Sequence, residues 1–538
     1  MVGTQYPPRH ARYPVLVLLA AVMVVLVADP RVASVSDERA VIGGPFARVL
    51  ALSTDLGPAR AARVQLTAAL TNPSRPDGLI AWAARRHLSV QWRPGDTWAV
   101  VQGAPADVGT AFAVPIHDYR GRLGQVFYAS PQQPEIPTAA RGEVDGLGRI
   151  LGYSPHHLAR PTTFPADVPK RGLSPDALLR SYNASPLAAA GMTGNGGTIV
   201  FFEFDGYDQT DLDTYARISG LPPLKPILIG GQPGEPEGEA VMDLEVAHAI
   251  APEAQLVVVN AMRTFGGDGT YPKIAGLFES MDRQFPGAVW SFSVGWGCDR
   301  LMTAADLAPV QSALVTALSH GTTAFDASGD TGGLECKGGA DWSSPPSPDD
   351  VGLDAVASLP AMISVGGTTL STDAQGQWLA EQAWVDSPLS QGSSGGVSAL
   401  FPHPGWQNVS AERDSAHRRL TPDVAAVADP FTGVKIVFDK QQLIGAGTSQ
   451  AAPVWAGLTV LMNQYLLAHG GHPLGDLNPL LYRVAAGANL PGFHDLSLGA
   501  NAVDLAVPGY DLVTGLGSPN IDNLVRDFLD VQTGVAPR

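Results

Sequence analysis

From Leu173 onward the chain alternates unbroken apolar runs with helix-like segments, and few folds accept that rhythm. The runs are Gly197–Phe204, Gln255–Ala261, Ala288–Val294, Thr322–Ala327, Ala361–Val365 and Val434–Phe438, with helical stretches such as Asp243–Ala251, Ile274–Arg283 and Ala305–His320 between several of them. A run that is apolar at nearly every position must be buried on both faces. That requires a parallel sheet with helices on both sides, an α/β architecture. Residues from about Val41 to Ile150 read differently. Short β-like runs (Arg48–Ser53, Thr97–Val101, Phe112–Ile116, Gln125–Tyr128) alternate with helical stretches Ala59–Leu70 and Leu79–His87, the pattern of a small α+β unit. Between the two lies Ser154–Gly172, which carries Pro155, Pro161, Pro165 and Pro169 without a hydrophobic period and reads as an exposed linker.

The N-terminus directs the chain out of the cytoplasm. Arg9 and Arg12 precede the apolar run Val15–Ala28, and small residues follow around Ala33–Ser36. Fourteen helical residues reach about 21 Å, short of the ~30 Å hydrocarbon core, so residues 1–36 are expected to be a signal peptide rather than a stable membrane span. The 34 basic and 51 acidic residues leave a net charge of −17, and Lys supplies only 6 of the basic residues. Nucleic-acid binding needs concentrated positive charge, so this composition excludes it. Low charge density with few Lys suits an acidic medium. Cys298 and Cys336 show no metal-ligand spacing, and in an exported chain they are expected to form one disulfide.

Three segments carry chemistry. Gly445-Ala446-Gly447-Thr448-Ser449-Gln450-Ala451-Ala452-Pro453 puts a serine hydroxyl where a helix begins and its N–H groups face any developing oxyanion. An ordinary Ser/Thr cap would explain Gly-Thr-Ser alone, but the proline four residues on makes the segment resemble the nucleophile region of subtilisin-fold serine peptidases. The base is not His320, which ends a helix and leads into a strand. Glu239 and Asp243 are better placed. They lie four residues apart, about 40° around a helix whose other positions are largely apolar, so two carboxyl groups share one buried face. Adjacent buried carboxyls can share a proton and so supply a base that works in acid. The third segment, Ser328-Gly329-Asp330, follows the run Thr322–Ala327. An aspartate there is ordinarily a turn former.

In that order, Glu-x-x-x-Asp, Ser-Gly-Asp and Gly-Thr-Ser-x-x-x-Pro resemble the sedolisins, or serine-carboxyl peptidases, and the resemblance spans essentially the whole chain. It implies a subtilisin-like catalytic domain over residues 173–538, preceded by a small ferredoxin-like activation prodomain over 37–153 and a processing linker over 154–172. It also implies Ser449 as nucleophile, Glu239 as general base, Asp243 as the group that orients it and Asp330 as oxyanion donor. One calcium ion is implied near the C-terminus, held by the side chains of Asp495 and Asp511 and the carbonyls of Leu496, Val507 and Gly509. Some members extend the acidic network with a Glu on the first mature strand and a Trp after a Ser-x-Ser. Glu203 matches the first, and Trp296 matches the second only if Gly295 replaces the second Ser. The resulting expectation is a secreted, acid-acting endopeptidase made as a self-processing zymogen. Its partners would be protein or peptide substrates and its own prodomain as intramolecular inhibitor. The rival expectation is a catalytically silent, exported calcium-binding protein on the same scaffold.

Overall fold

A strand flanked by strands and covered by helices on both faces buries every side chain, and the apolar runs fold accordingly. The computed structural model describes residues 41–122, 124–152, 157–158 (backbone), 172–264, 269–337, 345–386, 390–409, 411 and 417–534. The expected signal segment and most of Ser154–Gly172 lie outside these residues.

In the N-terminal part, helix α1 (Gly44–Ala51) precedes strand β1 (Val64–Leu70), helix α2 (Asp77–Ala84), strands β2 (Ser89–Gln91) and β3 (Trp98–Gly103), helix α3 (Pro105–Phe112) and strand β4 (Val144–Leu147). The four strands form one antiparallel sheet in the order β2-β3-β1-β4, the split βαβ order of ferredoxin-like folds. Three local expectations fail here. Ala59–Leu70 reads as helical from its alanines, yet Val64, Leu66, Ala68 and Leu70 alternate into the core, and the period of two makes a strand. Arg48–Ser53 reads as a strand, yet most of it continues a helix that starts at Gly44 with Pro45 in its first turn. Phe112 ends α3 and Ala113 turns left-handed, so the strand expected at Phe112–Ile116 begins only at His117.

The larger part is built on strands β5 (Thr198–Glu203), β6 (Ile227–Ile229), β7 (Gln255–Asn260), β8 (Val289–Phe292), β9 (Thr323–Ala327), β10 (Ile363–Thr372), β11 (Trp378–Ala383) and β12 (Val424–Val427). The sheet order is β6-β7-β5-β8-β9-β10-β11, with β12 also pairing β10; every pairing is parallel except β10–β11. One face is covered by helices α4 (Glu239–Ile250) and α7 (Thr448–Ala468), whose Val241, Leu244, Val454 and Trp455 join its core. The other is covered by α5 (Thr270–Gln284) and α6 (Ala304–Ser319), with Phe278, Leu307 and Val310 against Trp290. The run Val434–Phe438 does not enter this sheet. It forms a hairpin, Lys435–Phe438 against Gln441–Ile444.

The chain fills β6 and β7 on one side of β5, then crosses to β8 on the other. Such a switch opens a crevice at the carboxyl ends of the strands, the usual ligand position in parallel sheets. The N-terminal sheet packs beside α6, and Asp306 of α6 accepts the Arg149 N–H at 3.0 Å. Thr303 Oγ donates to the Leu147 carbonyl at 3.2 Å, while the guanidiniums of Arg48 and Arg93 pair with Asp350 and Glu279. Beyond this contact, the His157–Leu158 backbone pairs antiparallel with Val294–Gly295, just past the end of β8. Among the described residues no helix is long and apolar enough to cross a membrane.

Candidate active site

Helix α7 begins at Thr448, and its preceding residue Gly447 has φ 88° and ψ 164°, a conformation essentially reserved for glycine. Ser449 is therefore the second helical residue, where the backbone N–H precedes the intrahelical ladder and is available to a ligand. Pro453 matters by what it lacks. With no N–H, it cannot bond the Ser449 carbonyl four residues back. That carbonyl instead accepts the Ser293 hydroxyl at 2.9 Å.

Ser293 follows β8 and is buried. Its hydroxyl also faces both oxygens of Asp243, at 2.8 and 3.0 Å. One side chain thus joins the Ser449 segment to the carboxyl pair of α4. From the sequence alone, Ser293 is one position of the apolar run Ala288–Val294. Ser-x-x-x-Pro was the available sign that the serine's carbonyl needs an outside donor.

Every residue of α4 is buried, Glu239 and Asp243 included, which explains the apolar positions around them. Burial pushes the Glu239 carboxyl well above the usual carboxylate range. Glu203, Asp205 and Asp330 push it further, and the Ser449 hydroxyl opposes them. Neither Glu239 oxygen has a hydrogen-bond partner of normal geometry among the described residues, so both stay open to an incoming donor. Asp243 is pushed up by burial and by Glu203 and Glu239, with the Ser293 hydroxyl pulling the other way. Glu203, at the end of β5, is pushed up to about 8 by burial and Asp205, while Asp243 lowers it. Three carboxyls in one dry pocket cannot all ionise, so they hold shared protons and titrate as a group.

Asp330 lies three residues past β9. Its Oδ1 accepts the Thr448 N–H and hydroxyl, both at 2.8 Å. Its Oδ2 sits over Gly447, so close that a Cβ there would lie 2.5 Å from it. Burial raises the Asp330 carboxyl and Glu335 adds to this, against the two Thr448 bonds.

Trp296 is tied to a second buried acidic pair. Its indole N–H donates to Asp326 at 2.9 Å and its backbone N–H to Asp354. Cys298 and Cys336 are disulfide-bonded, which accounts for the cluster they form with Asp299. His320 ends α6 and bonds Asp282, away from these groups. Near the C-terminus, both Asp495 oxygens accept the Gly509 N–H at 3.0 Å, which joins the loops holding Leu496 and Val507. Asp511 is buried and accepts the Val513 and Thr514 N–H groups and the Thr514 hydroxyl at 2.7–2.9 Å.

No family model matches the chain. It is 31% identical to kumamolisin of Bacillus sp. (strain MN-32) over 473 residues, 82% of this chain and 80% of the relative. Sedolisin of Pseudomonas sp. (strain 101) is 27% identical over 458 residues, covering 78% of this chain and 73% of that one. Tripeptidyl-peptidase 1 of Homo sapiens is 27% identical over 431 residues, 74% of this chain and 73% of that one. The solved structure of Pseudomonas sedolisin, a serine-carboxyl proteinase complexed with two molecules of pseudo-iodotyrostatin, superimposes with a TM-score of 0.55 at 25% identity. The match covers 66% of this chain and 97% of that one. Identity of this extent, together with a serine and buried carboxyls meeting at the switch point of a subtilisin-like sheet, establishes that the chain belongs to the sedolisin family of serine-carboxyl peptidases.

Proposed function

We propose that the chain is the precursor of an exported endopeptidase that works in acid and matures itself. The observation that carries this reading is the Glu203–Glu239–Asp243 carboxyl group, buried beside Ser449 with Asp330 across Gly447. Ser449 Oγ attacks the scissile carbonyl carbon while Glu239 takes its proton, and Asp243 holds Glu239 in place. The C=O electron pair moves to oxygen, and the oxyanion is met by the Ser449 N–H and the protonated Asp330 Oδ2. As the C–N bond breaks, Glu239 returns the proton to the leaving amine. Water then repeats the cycle on the acyl-enzyme. A carboxylate base needs no imidazole, and a protonated aspartate donor requires acid.

Residues 37–153 are the prodomain and 154–172 the linker that is cut. The backbone pairing of His157–Leu158 with Val294–Gly295, next to Ser293, supports this, because these two residues run as a peptide strand past the end of β8. The experiment is incubation of purified precursor across pH 3–7 with N-terminal sequencing. Acid-dependent proteolysis and a new N-terminus between Ser154 and Gly172 are expected. A precursor that stays intact and inert throughout that range overturns the reading.

One calcium ion belongs to the same proposal. Asp495 and Asp511 offer carboxylates, and Leu496, Val507 and Gly509 offer carbonyls, a donor set that suits a hard cation taking about six oxygens. Neither aspartate pairs with a basic side chain among the described residues. When bound, the ion would cross-link the two loops by Lewis-acid attraction and take no part in peptide cleavage. Excess chelator should therefore lower the thermal midpoint, because a cation held only by the folded state adds about 2.7 kcal/mol at 100 times its Kd. An unchanged midpoint, with metal confirmed absent, would remove the site.

A further inference from the structure

Two residues beyond Glu203, at the turn leaving β5, stands a buried carboxylate that the reaction above does not use. Asp205 Oδ2 accepts the N–H groups of Glu237, Gly238 and Glu239 at 2.9, 2.9 and 3.2 Å, and Oδ1 accepts that of Ala240 at 3.0 Å. Three of these, from Gly238 to Ala240, are amides that a helix start leaves without partners. Gly238 caps α4 with φ 109° and has no side chain to satisfy them. An ordinary cap comes from the neighbouring residue and takes one or two amides. Here one side chain, more than thirty residues upstream, takes all four. It bolts the strand of Glu203 to the helix of Glu239. The junction is strapped beside it as well. The Gly206 N–H donates to the Glu235 carbonyl at 3.1 Å, and the Gln232 amide bonds the Tyr207 backbone. A Cβ on Gly206 would lie 2.3 Å from the Gly234 carbonyl oxygen, so the two segments are in close contact.

Burial raises the Asp205 carboxyl, and the four amides at the positive end of the helix pull it back toward the ionised form. The groups around Glu239 are Glu203 on β5, Glu237 before α4, Asp243 on α4, Ser293 after β8, Asp330 after β9 and Ser449 on α7. None of them is basic, and Asp205 is among the charges that push Glu239 upward.

We propose that Asp205 is a positioning residue of the peptidase reaction, fixing the start of the Glu239 helix against the Glu203 strand and setting a carboxyl group beside the base. The inference rests on Glu239 as the base. A negative neighbour strengthens a carboxylate base, because it stabilises the proton that the base accepts.

The test uses the matured enzyme with Asp205→Asn, Asp205→Ser and Asp205→Glu, and Glu239→Gln as reference. Asparagine keeps an acceptor for some of the amides and loses the charge. Its kcat should fall about tenfold or more with KM within about twofold. The acid limb of kcat/KM should move to lower pH, because Glu239 then ionises more readily. Hydrogen exchange at residues 237–240 should quicken in Asp205→Ser. Asp205→Glu, which keeps the charge, should hold the acid limb near its original position. Folded Asp205→Asn with unchanged kcat and acid limb overturns the inference. So does failure of both Asn and Ser variants to fold alongside a fully active Glu variant with normal exchange at 237–240. Full activity in Glu239→Gln would instead overturn the base assignment, and an inert wild type the functional reading itself.

Discussion

Ser449→Ala is expected to abolish digestion of denatured protein at pH 4 and to leave its own precursor uncut. The loss should be about 10⁵–10⁶ in turnover, the scale of removing a serine nucleophile from a site that keeps its other groups. The substitution removes one oxygen from a buried helix start and leaves the Ser293 bond to the residue 449 carbonyl intact, so the folded structure should survive. A mixture of variant and wild-type precursor separates the two routes of maturation. If wild type cuts the variant, the linker is also reachable from outside. If it does not, the His157–Leu158 strand is cut only by the molecule that holds it. Wild type and variant digesting equally would refute Ser449 as nucleophile, and no digestion by either would favour the silent calcium-binding reading.

Asp330 should give the next largest effect, with two substitutions pointing in opposite directions. Asp330→Ala removes a donor to the oxyanion and the acceptor of two Thr448 bonds, and turnover should fall about 10²–10³-fold. Asp330→Asn can keep the Thr448 bonds through its carbonyl and present an N–H over Gly447, where Oδ2 now lies. It should retain measurable activity. The sign of its pH effect follows from the proton. Asp330 donates only while protonated, so wild-type activity is lost as pH rises through its pKa, which burial holds above the ordinary value. The asparagine needs no proton, and its alkaline limb should extend upward. A folded Asp330→Ala enzyme with normal turnover at pH 4 would sink the assignment.

Much of the sheet was legible because β5, β7, β8 and β9 are buried at almost every position and carry apolar runs to match, a pattern with few other solutions. Strand β11 was not, because it lies at the sheet edge with exposed Leu379, Ala380 and Gln382. In the N-terminal sheet, alanine at positions 68 and 69 hid a strand whose alternation was visible only at Val64, Leu66 and Leu70. The carboxyl pair on α4 was legible because like charges four residues apart on an apolar helix are costly without a use. Asp205 was not, because its four partners lie more than thirty residues away and no local pattern joins them. Ser293 was not legible either, because the oxygens its hydroxyl meets lie on two other helices.

The missing rung at Pro453 has a mechanical consequence. A helix with a complete ladder is a closed object that could slide or roll along the sheet without breaking any bond of its own. Withholding one N–H leaves a carbonyl outstanding at Ser449, and Ser293, just past β8, supplies the bond. The serine is thereby indexed to the sheet through its own carbonyl, like a rack engaged by a tooth. Pro453→Ala would let the helix close on itself and release the tooth. The reacting oxygen would then keep only the ties of Thr448 to Asp330 and of Gln450 and Trp455 to carbonyls of β12.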